Sequence, residues 1–195
     1  MLPELDNFLV AFAALFAVIG PIDVAVLFAG LTAKNSTAEK NLFALKGVII
    51  GGVIIGFFAV FGRSILDALG ITLPALQIAG GILLLLIAID MVFARHSGGS
   101  STTKEENEEA RKSDDPSIFP VAMPLIAGPG AIGAIIVLMG DTGGSFKLGS
   151  IVIAALLSVL AIQLILLVMA GQVQKVLGRT GSDVIARVMG VLLAG

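Results

Sequence analysis

Long apolar stretches alternate with short polar segments along the chain. The long apolar stretches cover residues 5–33, 42–68, 74–93, 118–139 and 146–172. A bilayer core about 30 Å thick is crossed by roughly 20 apolar residues in a helix, so each stretch predicts a membrane-spanning helix. A sixth stretch, residues 182–195, makes only about 21 Å of helix and is too short to cross. We therefore expect the last helix to be partial or truncated.

The polar segments predict where helices begin. Ser36 or Thr37 is placed to cap a helix that carries Glu39 in its first turn. Gly70-Ile71-Thr72 predicts a turn, and Pro74 suits the first turn of the helix that follows. Within the fifth stretch, Ser158 and Gln163 are predicted to hydrogen-bond across helices.

Composition agrees with a membrane protein. Hydrophobic residues make up 57% of the chain and charged residues 13%, whereas about a quarter of an average soluble domain is charged. The chain has no cysteine, its single histidine is His96 in a polar segment, and the apolar stretches hold no paired carboxylates. We therefore expect no cofactor, no metal site and no enzyme activity, and no charged patch points to nucleic acid.

Basic residues predict the orientation in the membrane. The side that follows the first, third and fifth stretches holds nine Lys and Arg residues, and the opposite side holds Arg63 and Lys147. The nine are Lys34, Lys40, Lys46, Arg95, Lys104, Arg111, Lys112, Lys175 and Arg179. Because the side rich in Lys and Arg faces the cytoplasm, we expect the N-terminus outside. Residues 94–117 are then a polar cytoplasmic linker.

Two of the apolar stretches are interrupted by glycine and proline. The first contains Gly20-Pro21 and the fourth contains Gly128-Pro129-Gly130. Proline inside a helix removes a backbone hydrogen bond and clashes with the preceding turn, so both helices should kink or break. Lipid cannot satisfy the exposed backbone, so such breaks are tolerated where they are buried in protein or line a wet cavity.

The two interruptions belong to an internal repeat. At an offset of about 108 residues, Gly20-Pro21 aligns with Gly128-Pro129. The turn at Leu69-Gly70-x-Thr72 aligns with Leu177-Gly178-x-Thr180, which predicts a second turn there. We predict an all-α polytopic protein whose residues 1–93 and 118–195 are two three-helix repeats of inverted topology. Its first and fourth helices are broken at mid-membrane. Secondary transporters bind their substrates between such helices.

The chemistry of the breaks suggests a ligand. A helix that restarts exposes N–H donors, and one that stops exposes C=O acceptors, so paired breaks suit an amino-acid zwitterion. The predicted binding residues are Gly20, Pro21, Ile22, Asp23, Gly128, Pro129 and Gly130. Asp23 is the carboxylate deep inside an apolar stretch. It is either a proton-coupling residue, since burial disfavours a charge, or a structural partner of neighbouring polar groups.

Several segments resemble the MarC family of integral membrane proteins. They are residues 70–81, Phe119-Pro120-Val121-Ala122-Met123-Pro124 with Ala127-Gly128-Pro129-Gly130, and Arg187-Val188-Met189-Gly190. The resemblance implies six spans and an external N-terminus, and the SnatA branch of the family moves small neutral amino acids such as glycine and alanine. By resemblance, Pro21 and residues 128–130 form the site. Gly20 stands where the family usually has Asn, Asp23 replaces a Gly or Thr, and Gln77 stands where Arg is common.

The sequence therefore predicts a secondary transporter of small neutral amino acids that lies in a lipid bilayer. An exporter or channel for another small solute is the alternative. The oligomeric state is not fixed by these patterns.

Overall fold

The computed structural model describes residues 3–93 and 115–194, and the described residues form helices without strands. The helices are α1 Pro3–Ile19, α2 Pro21–Leu31, α3 Thr37–Ala68, α4 Leu73–Val92, α5 Ser117–Ile126, α6 Pro129–Asp141, α7 Phe146–Val168 and α8 Ala170–Ala194. The prediction of an all-helical protein is confirmed. Most of the predicted linker, 94–114, and His96 within it lie outside the described residues.

Hydroxyl side chains start three of the helices. The Ser36 hydroxyl accepts a hydrogen bond from the Glu39 amide at 3.3 Å, and the Glu39 carboxylate accepts one from the Ser36 amide at 2.8 Å. These two bonds form a capping box, which satisfies donors that a helix start leaves open. Thr72 caps α4 at 3.3 Å and Ser145 caps α7 at 3.4 Å. The predicted helix start at Ser36 and the turn that ends at Thr72 are confirmed.

Helix α3 packs against α5, α6 and α7. Its glycines Gly47, Gly51 and Gly62 face this contact. A Cβ atom on each would lie 2.6–2.7 Å from a side-chain atom of Val121, Ile126 or Ile136, in that order. Small residues therefore let the backbones approach closely, as they do in membrane helix pairs.

Around this contact, α1 packs on α6 and α7, while α8 packs on α4 and α2. The shared core contains large, fully buried side chains, among them Leu15, Phe28, Ile55 and Ile135. Every helix therefore contributes to one bundle or lies against it.

The outward faces of the bundle are apolar. Val53, Val60 and Ile78 are each about two-thirds exposed, at 66, 67 and 68%, although soluble proteins rarely expose large apolar patches. Among residues 3–93 and 115–194, four helices are long and apolar enough to span a bilayer, and the count is up to five if α5 and α6 are one bent span. The four are Glu4–Leu31, Thr37–Ala68, Leu73–Val92 and Phe146–Val168. The exposed apolar faces are therefore lipid-facing surfaces.

Helix α5 departs from the predicted regular span. Phe119 and Met123 have non-helical backbone angles, and Pro120 and Pro124 lie inside the helix. The amide of Val121 bonds to the carbonyl of residue 116 at 3.1 Å, a five-residue step. Wide turns of this kind are π-helical and are frequent at functional sites. The fourth apolar stretch is thus irregular well before Gly128.

The last two helices also differ from the prediction. Helix α7 ends at Val168, not near Gln172, and α8 runs continuously over 170–194. The predicted turn at Leu177-Gly178-x-Thr180 is therefore wrong, because those residues are helical. The chain turns at Met169, whose carbonyl accepts the Gln172 amide at 2.8 Å. Near its end α8 packs closely on α4, since a Cβ on Gly190 would lie 2.8 Å from the Ala88 carbonyl oxygen.

Polar pairs mark the two ends of the bundle. At one end, Lys147 forms an ion pair with Glu4, and the Gln77 amide donates to Asp141 at 2.7 Å. We call this the α4-start end. At the other end, Lys46 pairs with Asp115 at 3.1 Å. Burial raises the pKa of Asp115, but hydrogen bonds from Ser117 and the charge of Lys46 outweigh it, so the pKa lies below its ordinary value.

Candidate functional site

The first predicted break is a single glycine between two helices. Gly20 has φ 60° and ψ 56°, the left-handed conformation that glycine adopts at little cost. Its amide bonds to the Phe16 carbonyl at 3.0 Å, and its carbonyl accepts the Val24 amide at 3.1 Å. Pro21 then opens α2, where its missing N–H is no loss. Gly20 thus ends one helix and starts the next within a single residue.

Asp23 lies in the first turn of α2, on the third residue of the helix. One of its carboxylate oxygens lies 3.6 Å from the position that a Cβ on Gly20 would take, so the side chain turns back toward the helix start. The residue is half-buried. A carboxylate at a helix N-terminus is stabilised by the helix dipole. The structure therefore places Asp23 at the break itself, beside Gly20.

The second predicted break has a different geometry. Gly128 is extended, with φ −74° and ψ 168°, and Pro129 opens α6. Helices α5 and α6 are bent by 51° across this point. A Cβ on Gly128 would lie 2.6 Å from the carbonyl oxygen of Pro124, a contact that real Cβ atoms essentially never make. The second glycine is therefore required by close backbone packing, whereas the first is required by its left-handed φ.

The second break lies against the helix that leads into the first. A Cβ on Gly130 would lie 2.9 Å from Val18 Cγ1 and 2.9 Å from Ile87 Cδ1, so the start of α6 touches both α1 and α4. A cavity of about 10 Å³ lies there. It is lined by Val18, Ile87, Pro124, Leu125, Ile126, Gly128, Gly130 and Ala131. This volume is about that of one water-sized sphere.

The predicted binding residues differ in position and exposure. Gly128 and Gly130 line the small cavity, whereas Gly20, Pro21, Ile22 and Asp23 do not. Pro21 and Gly130 are buried and Pro129 is exposed, while Gly20, Ile22, Asp23 and Gly128 are half-buried. The structure thus brings residues 128–130 to Val18, two residues before the first break.

Both breaks lack the caps found on α3, α4 and α7. Neither Gly20 nor Gly128 provides a side-chain hydrogen bond to the helix that it precedes. Both α2 and α6 begin inside candidate spans, while Ser36, Thr72 and Ser145 start helices at the ends of theirs. The residue before each of these helices therefore leaves the first turn without a side-chain cap, and the N–H groups of a first turn attract negative charge, which at α2 includes that of Asp23.

Gln163 on α7 is a polar residue whose environment sequence reasoning missed. It is fully buried, and neither end of its amide has a hydrogen-bond partner in the part of the chain that the structure describes. Ser158, also predicted to bond across helices, donates instead to the Ala154 carbonyl of its own helix at 2.8 Å. A buried polar group without a partner costs about 1–3 kcal/mol. The sequence signal for this burial is a single amide side chain in an otherwise apolar helix.

No group of three His, Cys, Asp or Glu side chains is placed to hold a metal ion among residues 3–93 and 115–194. The predicted site consists of backbone at two glycine-proline starts, with one carboxylate at the first.

Lipid-facing apolar helices, close packing through glycines and helix starts within the spans define a multi-pass integral membrane protein. The family model described as "MarC family integral membrane protein" matches residues 5–195. The chain belongs to the MarC family.

Curated relatives agree over nearly the full length. A UPF0056 membrane protein of Methanocaldococcus jannaschii is 39% identical over 97% of this chain and 91% of its own length. The UPF0056 membrane protein YvbG of Bacillus subtilis is 33% identical, covering 94% of this chain and 86% of its own. YhcE of Escherichia coli is also 33% identical, covering 93% and 84%. These relatives are named as membrane proteins, without an activity. No solved structure is significantly similar to the chain.

Proposed function

We propose that this protein is a secondary transporter of small neutral amino acids that binds the zwitterion between two broken helices. The observation that carries the proposal is the pair of uncapped glycine-proline helix starts inside candidate spans. Their N–H groups suit the substrate carboxylate, and the carbonyls that end α1 and α5 suit its ammonium group. Helix ends of this kind form the substrate sites of several secondary transporters.

The proposed site would have to open to admit a solute. The cavity of about 10 Å³ beside Gly128 and Gly130 has room for about one water. Alternating access requires the site to open toward each side of the membrane in turn. The 51° bend between α5 and α6 and the irregular turns of α5 support an opening at this point.

The proposal includes the architecture predicted from the repeat. Residues 1–93 and 118–195 would be inverted three-helix units, with α8 contributing the sixth span and the N-terminus outside the plasma membrane of a prokaryote. Both glycine-proline starts support this proposal. The helical course of 177–180 removes the second correspondence on which the repeat was based.

Uptake of radiolabelled glycine and alanine into proteoliposomes tests the function. We expect Pro21→Ala and Pro129→Ala each to reduce the initial rate at least about tenfold. Alanine, unlike proline, lets α1 or α5 continue, and the continued helix would use the open N–H and C=O groups in its own hydrogen bonds. Pro74→Ala is the matched control. Pro74 also lies in the first turn of its helix, but that helix starts at the bundle end behind the Thr72 cap.

Two results would contradict the proposal separately. If both proline variants transport at the wild-type rate, the two breaks are not the substrate site. Failure of the wild-type protein to move glycine or alanine, with movement of another small solute, would favour the alternative of an exporter or channel.

A further inference from the structure

A second cavity lies away from the two breaks. It has a volume of about 240 Å³ and lies between the end of α3, the start of α4 and the end of α6, at the α4-start end of the bundle. Its polar side chains are Arg63, Asp67 and Thr72, and its walls include Leu66 and Ile136. Drug-sized ligands occupy pockets of about 300 Å³ or more, so this cavity suits a smaller solute.

Arg63 and Asp67 carry opposite charges one helical turn apart, yet they do not pair. Neither side chain makes an ion pair or hydrogen bond in the part of the chain that the structure describes. Residues four apart on a helix are neighbours, but a base that precedes an acid is the weaker order for pairing. Both charges therefore remain open toward the same cavity.

The neighbouring carboxylate is already engaged. Asp141 follows the lining residue Gly140 and accepts a hydrogen bond from Gln77 at 2.7 Å. Asp67 is thus the acidic residue at the cavity that has no side-chain partner among the described residues, and Arg63 is the basic residue there. Both residues lie within the last two turns of α3, at the end of its span, and both are exposed.

We propose that this cavity binds a small zwitterion, with the carboxylate on Arg63, the ammonium group on Asp67 and a short side chain on the apolar wall. Guanidinium binds carboxylate through two parallel hydrogen bonds, which fixes the orientation of the bound zwitterion. The proposal rests on the proposed function for its choice of solute. It adds a binding site at the bundle end, through which solute would pass toward the breaks.

Solid-state NMR on the full chain in liposomes locates the ligand. Glycine labelled with ¹³C at its carboxyl carbon is added to protein labelled with ¹⁵N in its arginines, and carbon–nitrogen recoupling is measured. We expect a contact that disappears in Arg63→Gln and persists in Lys147→Gln. Lys147 is the matched control because it is a basic residue at the same end that already pairs with Glu4. Absence of a contact in the wild-type protein would overturn the proposal.

Equilibrium binding separates a zwitterion site from a simple ion site. Arg63→Gln and Asp67→Asn should each weaken glycine binding at the NMR-detected site by about tenfold or more, because each removes a charged hydrogen-bond partner. Acetate and methylammonium, which each satisfy one charge, should bind at least about tenfold more weakly than glycine. Acetate binding as tightly as glycine would overturn the proposal, as would unchanged glycine affinity in both variants.

The exchanged double variant R63D/D67R provides a further control. It keeps both charges in the cavity, but the acid now precedes the base, the stronger order for pairing. We expect the two side chains to pair with each other and glycine binding to be lost, whereas retained binding would contradict the proposal. If glycine binds at Arg63 but is not transported, the cavity stands and the transport proposal falls. If glycine is transported but shows no NMR contact, the transport proposal stands and the cavity site falls.

Discussion

The carbonyl oxygen of Pro124 lies 2.6 Å from the position that a Cβ atom on Gly128 would occupy. The backbone on either side of the second break is therefore packed more tightly than any side chain allows. The start of α6 thus lies directly against the irregular end of α5.

Gly128→Ala should consequently destabilise the protein. The added methyl group must displace the backbone at Pro124, and overpacking of this kind costs about 1–3 kcal/mol. Gly133→Ala in α6 is the matched control, because nothing lies within 4 Å of its Cβ position. Alanine there should stabilise the helix by about 0.5–1 kcal/mol. Unfolding of the purified variants in detergent measures both, and equal effects of the two substitutions would contradict the packing argument.

Gln163→Met should stabilise the protein. Methionine fills a similar space without an amide, so the cost of a buried unpaired polar group, about 1–3 kcal/mol, is removed. Ser158→Ala on the same helix should change the free energy of unfolding little, because its hydroxyl bonds within its own helix. The same unfolding assay measures both. Destabilisation by Gln163→Met would mean that the amide has a partner, such as a bound water, in the folded protein.

Asp23→Asn tests the carboxylate at the first break. We expect it to abolish uptake driven by a proton gradient while exchange of internal for external glycine continues, because asparagine keeps the shape but cannot bind a proton. Proteoliposome uptake with and without a pH gradient measures the two modes. If the pH dependence is unchanged and stability falls by about 0.3–2 kcal/mol, Asp23 serves the start of α2 alone.

Cysteine labelling tests the orientation. The chain contains no cysteine, so Lys34→Cys and Leu69→Cys introduce single thiols at opposite ends of α3, both at exposed positions. In intact cells, a membrane-impermeant maleimide should label Leu69→Cys and leave Lys34→Cys unlabelled until the membrane is permeabilised. The reverse pattern would place the N-terminus in the cytoplasm.

Sequence reasoning located most helices because their signals are local. The capping box of Ser36 and Glu39 acts within four residues, and apolar length alone identified the spans. Glycine followed by proline similarly marked both starts, Gly20 and Gly128, since proline cannot continue a hydrogen-bonded helix. The MarC resemblance, carried by motifs of this kind, was confirmed by the match to residues 5–195.

Features that depend on packing partners were decided by the tertiary structure. The turn predicted at 177–180 became helix, and the chain turned at Met169 instead, with α8 packed on α4 and α2. Sequence predicted that Gln163 bonds across helices, but the neighbouring helices bury it with no hydrogen-bond partner among the described residues.

The same division applies to the sites. Sequence alone determined which residues interrupt the spans, because proline and glycine act on their own backbone. Tertiary structure decided that residues 128–130 meet Val18, and that Arg63 and Asp67 line one cavity together with residues of α4 and α6. A cavity exists between elements that are distant along the chain, and its lining is set by how those elements pack.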